Sequence, residues 1–134
     1  GRGGGGGAAW PPGRQACGGE ARSWRAGNGA GERRPPMDTP EGFERHREWE
    51  RVLHEARWSV VAWPEAYGGR GVGLVEWLVF EEEYYLSGAP GRVSTNGTSL
   101  LGPTLFAYGT DEQKKIAAEL VLSGDKPAIC ITEP

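Results

Sequence analysis

The sequence contains two cysteines, one methionine and two histidines in 134 residues. A disulfide framework or a metal knuckle needs more thiols, closer together, than Cys17 and Cys130. Cys130, in an apolar run, reads as a small buried hydrophobe. A reducing compartment and a cytoplasmic location are therefore expected. No stretch reaches the roughly 18 to 20 apolar residues of a membrane helix, so no membrane span is expected. A charged, then apolar, then small-residue secretory leader is also missing. His46 and His54 stand eight apart, but no carboxylate or thiol constellation joins them. Packing or solvated histidines are the preferred reading, with no metal site.

What is present divides into two segments. Hydrophobic residues make up 37% and charged residues 25%, a soluble composition with a thin core, and the 23 glycines account for the thinness. Residues 1–36 carry six Arg against Glu20 and Glu32, a balance of +4; residues 37–134 carry nine basic and sixteen acidic residues, a balance of −7. The first segment, broken throughout by Gly and Pro, has no usable periodicity. Chain entropy without apolar burial predicts disorder or poor order there. An Arg/Gly-rich arm has a composition that binds RNA; a linker or a wrongly framed lead-in is the preferred reading.

From Met37 the pattern turns helical. Thr39 is placed to cap a helix with Pro40 at its first position and Glu41 at the positive end of the dipole. Phe43, Trp49, Leu53 and Ala56 share a face. A connector follows, with Trp63-Pro64 and Gly68, Gly69, Gly71 and Gly73 supplying turn chemistry. A largely buried helix is predicted from about Leu74 to Leu86, then a short apolar helix around Leu100 to Ala107. Thr110 and Gln113 form a capping box for a last helix that closes at Ser123-Gly124. The run Ala128 to Ile131 reads as the start of a strand.

Two constellations invite chemistry and fail on context. "GGRGVG" has the spacing G-x-G-x-G and follows Pro64-Glu65-Ala66-Tyr67 rather than a strand, so a structural turn is preferred over a dinucleotide loop. Glu81, Glu82 and Glu83 are consecutive and point in different directions, as on a solvated helix edge. No nucleophile–base arrangement is apparent, so no catalytic residue is assigned.

Four stretches, in this order and spacing, resemble the N-terminal part of the acyl-CoA dehydrogenase family: "AWPEAYGGRGVG", "FEEEYYLSGAP", "GPTLFAYGTDEQKK" with "LVLSGD", and "AICITEP". Together they cover roughly residues 40 to 134. The resemblance implies a mainly α fold: an N-terminal helical domain over 37–125, then the first strand of a flavin-binding β-domain over 126–134. FAD is the implied cofactor. Ile129, Cys130, Ile131 and Thr132 match positions lining the isoalloxazine ring, and Glu133 and Pro134 match the following turn. Leu100, Leu101, Leu105 and Phe106 are the implied acyl-channel residues, with plain helix-core packing as their alternative.

The implied substrate is an acyl-CoA thioester, dehydrogenated between its α and β carbons. The family's Glu base belongs to a later domain, so a truncated chain, inactive alone, is expected. Implied partners are further copies of the chain, in a homo-oligomer, and an electron-transferring flavoprotein as acceptor; neither nucleic acid nor a membrane is expected. The rival expectation is a noncatalytic helical interaction module with a basic Arg/Gly-rich arm.

Overall fold

The computed structural model describes residues 12–29 and 31–122, and among them every regular element is helical. The helices are α1 (Pro12–Gly27), α2 (Pro40–Glu55), α3 (Leu74–Leu86), α4 (Gly102–Tyr108) and α5 (Asp111–Leu122). A 3₁₀ turn spans Glu65–Tyr67, and a π turn spans Gly97–Leu101 immediately before α4. The mainly α expectation is met; the expected strand lies outside the described residues.

Local chemistry sets the starts of α2 and α5. Thr39 Oγ1 accepts a hydrogen bond from the Gly42 N–H at 3.0 Å and donates to Pro36 O at 2.9 Å. At α5, the Thr110 N–H donates to Gln113 Oε1 and the Gln113 N–H to Thr110 Oγ1, at 2.9 and 3.2 Å, a reciprocal box. The wide turn before α4 has a cause in Pro103, which lacks the N–H that would bond Ser99 O in an α-helix. The Gly102 N–H instead reaches Gly97 O, five residues back.

Helix α1 departs from the expected absence of order. It forms despite Gly13, Gly18 and Gly19 because tertiary contacts outweigh poor propensity. Ala21 is fully buried, Trp24 packs at 6.1 Å from Trp49 and 6.4 Å from Trp58, and α1 lies along α3. Gly18 permits that approach: a Cβ there would sit 3.2 Å from Val79 Cγ1. Two rim ion pairs, Arg22–Glu83 and Arg70–Glu20, join α1 to the rest of the chain.

The main core gathers Ala21, Trp49, Leu53, Trp58, Val61, Phe80 and Tyr84. Trp58 and Phe80 stack at 5.5 Å with planes 8° apart. The Tyr84 hydroxyl is the polar centre: it accepts from Trp49 Nε1 at 2.8 Å and donates to Pro90 O at 2.6 Å. A second cluster forms from Val60, Trp63 and Ala118, with Tyr67 and Phe106 against it. Gly102 is required there, since a Cβ would lie 2.2 Å from Trp63 Cζ2.

"GGRGVG" is the turn it was read to be. Its backbone returns to the segment after α2, with the Arg70 N–H bonded to Val61 O and the Gly71 N–H to Trp63 O. Arg57, at φ 61°, reaches across the loop and donates to Gly69 O and Glu65 O. The expected burial of α3 needs correction. Val79, Phe80 and Tyr84 are buried, but Leu74, Leu78, Tyr85 and Leu86 are exposed. The reason is coverage: α1 and the core shield one side of the helix, and no other described element shields the opposite side.

Candidate functional site

A cleft of about 530 Å³ opens between the Ser59–Trp63 loop, α3 and the segment from Arg92 to Pro103. Aromatic rings of Trp63, Trp77 and Tyr85 form much of its wall, and Thr95, Thr98 and Ser99 contribute hydroxyls. Such a surface, mostly apolar with a few polar groups, is the usual character of a small-molecule site.

One charge pair belongs to the cleft. Arg92 Nη1 donates to both carboxylate oxygens of Glu81, each at 2.9 Å, with the side chains only 13% and 19% exposed. The guanidinium carbon of Arg92 lies 4.1 Å from the Tyr84 ring centroid and 5.7 Å from that of Phe80. Its Nε and Nη2 groups are pressed among these rings and meet no acceptor at hydrogen-bond geometry. Burial pushes the Tyr84 phenol up, and the nearby Arg92 charge opposes that rise.

Helices α2 and α3 fix the chain around Arg92. Tyr84 holds Pro90 O as described, His46 Nδ1 lies 2.8 Å from Gly91 O, and Glu50 Oε1 accepts from the Ser94 N–H at 3.2 Å. His46 and Glu50 are one turn apart on the buried face of α2, so they grip backbone groups three residues apart. The cleft's charged residue thus sits on a main chain pinned on either side.

The four expected channel residues sit on the π turn (Leu100, Leu101) and α4 (Leu105, Phe106). Leu100 is 54% exposed, and Leu101, Leu105 and Phe106 are half-buried. Phe106 packs into the second core, 4.9 Å from Trp63 and 5.1 Å from Tyr67. None of the four lines the cleft; Thr98, Ser99 and Pro103 of the same segment do. The predicted cofactor residues, Ile129, Cys130, Ile131, Thr132, Glu133 and Pro134, lie outside the described residues. Of the consecutive acids Glu81, Glu82 and Glu83 on α3, only Glu82 is exposed. Glu81 pairs with Arg92, and the Arg22 guanidinium holds the Glu83 carboxyl below the usual carboxylate range. Sequence reasoning missed the Glu81–Arg92 pair, which is separated by eleven residues and a turn and has no local signal.

A second, more open cavity of about 790 Å³ lies between α2, the 3₁₀ turn and α5, beside His54, Tyr67 and Lys115. His54 Nδ1 is buried there without a partner, and burial lowers the pKa of the ring. Among the described residues no three His, Cys, Asp or Glu side chains are placed to hold a metal ion, and no helix is long and apolar enough to cross a membrane.

Known proteins share this architecture. The sequence profile described as "Acyl-CoA dehydrogenase, N-terminal domain" matches residues 32–125. The chain is 39% identical over 102 residues to acyl-CoA dehydrogenase IpdE1 of Mycobacterium tuberculosis, covering 72% of this chain and 26% of that protein. It is 43% identical over 84 residues to 3-sulfinopropanoyl-CoA desulfinase of Paraburkholderia xenovorans, covering 62% of this chain and 22% of that one. Among solved structures, the Tcur3481-Tcur3483 steroid ACAD superposes with a TM-score of 0.68 at 35% identity, over 87% of this chain and 30% of its own. The ChsE4-ChsE5 complex from Mycobacterium tuberculosis gives a TM-score of 0.63 at 30% identity, over 87% and 29%. The chain thus spans about a quarter of the length of these curated relatives. With the profile running from Glu32 to Asp125 and through every element that walls the cleft, the chain belongs to the acyl-CoA dehydrogenase family, by its N-terminal domain.

Proposed function

We propose that this chain is the N-terminal domain of a flavin-dependent oxidoreductase that dehydrogenates acyl-CoA thioesters, and that its cleft receives the far end of the acyl group. The observation that carries the reading is the cleft itself, walled by Trp63, Trp77 and Tyr85 with the hydroxyls of Thr95, Thr98 and Ser99 beside them. The chemistry of the relatives supports it, because the named desulfinase and dehydrogenases are enzymes of acyl-CoA compounds.

The role of this chain is binding and positioning. Trp63, Trp77 and Tyr85 exclude water from the acyl group, while the Glu81–Arg92 pair braces the wall on a backbone pinned by His46, Glu50 and Tyr84. FAD, when bound, supplies the hydride acceptor, and Ile129 to Pro134 are the residues the family resemblance assigns to it. No described carboxylate is proposed as the α-proton base: Glu81 and Glu83 are committed to arginines, and the chain alone is expected to be inactive. The working enzyme is proposed to be a cytoplasmic oligomer passing electrons to an electron-transferring flavoprotein. The names of both structural relatives, ChsE4-ChsE5 and Tcur3481-Tcur3483, pair two proteins, which supports assembly.

Calorimetric titration of the chain with succinyl-CoA and butyryl-CoA tests the cleft. A carboxylate is costly to desolvate in a mostly apolar cleft without a free donor, so the apolar-ended butyryl thioester should bind at least about tenfold more tightly. That preference should weaken in W77A, which removes part of the aromatic wall. Equal binding of both thioesters, or no binding of either, would refute the cleft as the acyl site. Salt-sensitive RNA binding through residues 1–36 would favour the interaction-module reading instead.

A further inference from the structure

Arg25 is the most anomalous residue of the described fold. It is 1% exposed, yet its Nε, Nη1 and Nη2 atoms all lack a hydrogen-bond partner. The nearest carboxylate oxygen, Glu83 Oε2, is 4.0 Å away and already accepts from Arg22 Nε at 2.9 Å. Its guanidinium carbon stands 5.8 Å from the Tyr84 ring, the same ring that carries Arg92 at 4.1 Å. Burial and the Arg22 and Arg92 charges all lower the pKa of Arg25, and Glu83 offsets them in part. A buried charge without hydrogen bonds is among the costliest features a fold can hold.

The helix bearing it packs along α3 but has little support from its own sequence. Gly18 and Gly19 stand in its middle, where glycine disfavours helix. At Gly19 no packing demands glycine, since an added Cβ would meet nothing within 4 Å. The ion pairs tying α1 down are on the surface, with Arg22 65% and Glu20 62% exposed, and such pairs add little. Helix α2 has a hydrogen-bonded cap, and its His46 and Glu50 reach backbone groups, although its His54 Nδ1 is buried without a partner.

We propose that α1 is a detachable strap: it opens as a unit from the α2–α3 body under native conditions, releasing Arg25 to water and vacating the Trp24 site beside Trp49 and Trp58. Opening releases a buried guanidinium that has no hydrogen bond and only a long ion pair to Glu83, while closing buries Ala21 and part of Trp24, so the two effects oppose each other. Elements of this kind, with few internal supports, form the low-stability end of a fold and open sub-globally. The opened state presents Trp49, Trp58, Phe80 and Tyr84, a continuous aromatic surface.

Native-state hydrogen exchange on the full 134-residue chain, read by NMR, tests this. The amides of Ala21 to Gly27 should exchange at least tenfold faster than those of Trp49 to Leu53 and Val79 to Glu83. R25M, which keeps the volume and drops the charge, should slow α1 exchange at least tenfold. G19A should slow it about three- to fivefold, and neither variant should change the rates of α2. If R25M fails to fold, G19A carries the test alone. Exchange of α1 at the α2 rate in the unmodified chain, or α1 rates unmoved by the folded variants, would overturn the proposal.

Discussion

Replacing Tyr84 by Phe removes one oxygen from the centre of the main core. Tyr84 is fully buried and Trp49 is 2% exposed, so neither surviving partner has water to turn to. The oxygen serves two bonds, from Trp49 Nε1 at 2.8 Å and to Pro90 O at 2.6 Å. Each orphaned partner costs about 1–3 kcal/mol, giving an expected loss of about 2–6 kcal/mol, a large share of a domain's stability. The ring stays, so its packing on Phe80 and under Arg92 is unchanged and the measurement isolates the polar contribution. Urea titration followed by tryptophan fluorescence reads it, provided the slope is the same in both proteins. Tyr85→Phe is the control, because that hydroxyl belongs to an exposed side chain, and its effect should stay within about 0.5 kcal/mol. In W49F/Y84F the indole donor is gone as well, so the double variant should lose about 1–2 kcal/mol less than the sum of the singles. A Tyr84→Phe cost no larger than that of Tyr85→Phe would refute the hydroxyl as the polar centre of the core.

His54 predicts an acid-sensitive fold. Its folded pKa lies below the ordinary 6.5, chiefly through burial, with Arg57 also lowering it and Glu55 opposing. Asp111, Lys115 and Glu119 face the same cavity. The unfolded chain therefore binds the proton first, so stability is complete above pH 6.5 and is lost as pH falls from there through the folded value. Urea midpoints measured from about pH 7.5 to 5 should fall, and H54Q should flatten the curve; a flat curve in the unmodified chain contradicts the burial. Gly102→Ala should force the π turn away from Trp63, with an overpacking cost of about 1–3 kcal/mol and a Tm lower by roughly 5–15 °C. An unchanged Tm would mean that the contact is not maintained in solution.

Local signals made part of the fold legible. Thr39-Pro40, the Thr110/Gln113 box and the limits of α3 at Leu74 and Leu86 were read from residues within a few positions of each end, because capping is settled there. The glycine loop was read correctly as a turn for the same reason. Helix α1 was not legible, since its order comes from Trp24 and Ala21 meeting rings far along the chain rather than from its own propensity. The cleft was hidden likewise. Its charge pair and the hold of His46 and Glu50 on Gly91 and Ser94 are contacts of 11, 45 and 44 residues' separation. The family resemblance assigns Leu100, Leu101, Leu105 and Phe106 to the acyl channel, and Thr98, Ser99 and Pro103 of the same segment line the described cleft.

Arg57 sets two evolutionary pressures against each other at one codon. Backbone geometry alone favours glycine at φ 61°, by about 1–2 kcal/mol over a residue with a Cβ. The side chain answers with donors to Gly69 O and Glu65 O, each worth about 0.5–1.5 kcal/mol. Only a long, forked donor reaches both carbonyls at once, so lysine keeps the conformational penalty and forfeits part of the tether. Substitutions here should therefore be tolerated at two extremes: glycine, which removes the penalty, and arginine, which outweighs it. Intermediate side chains should be selected against.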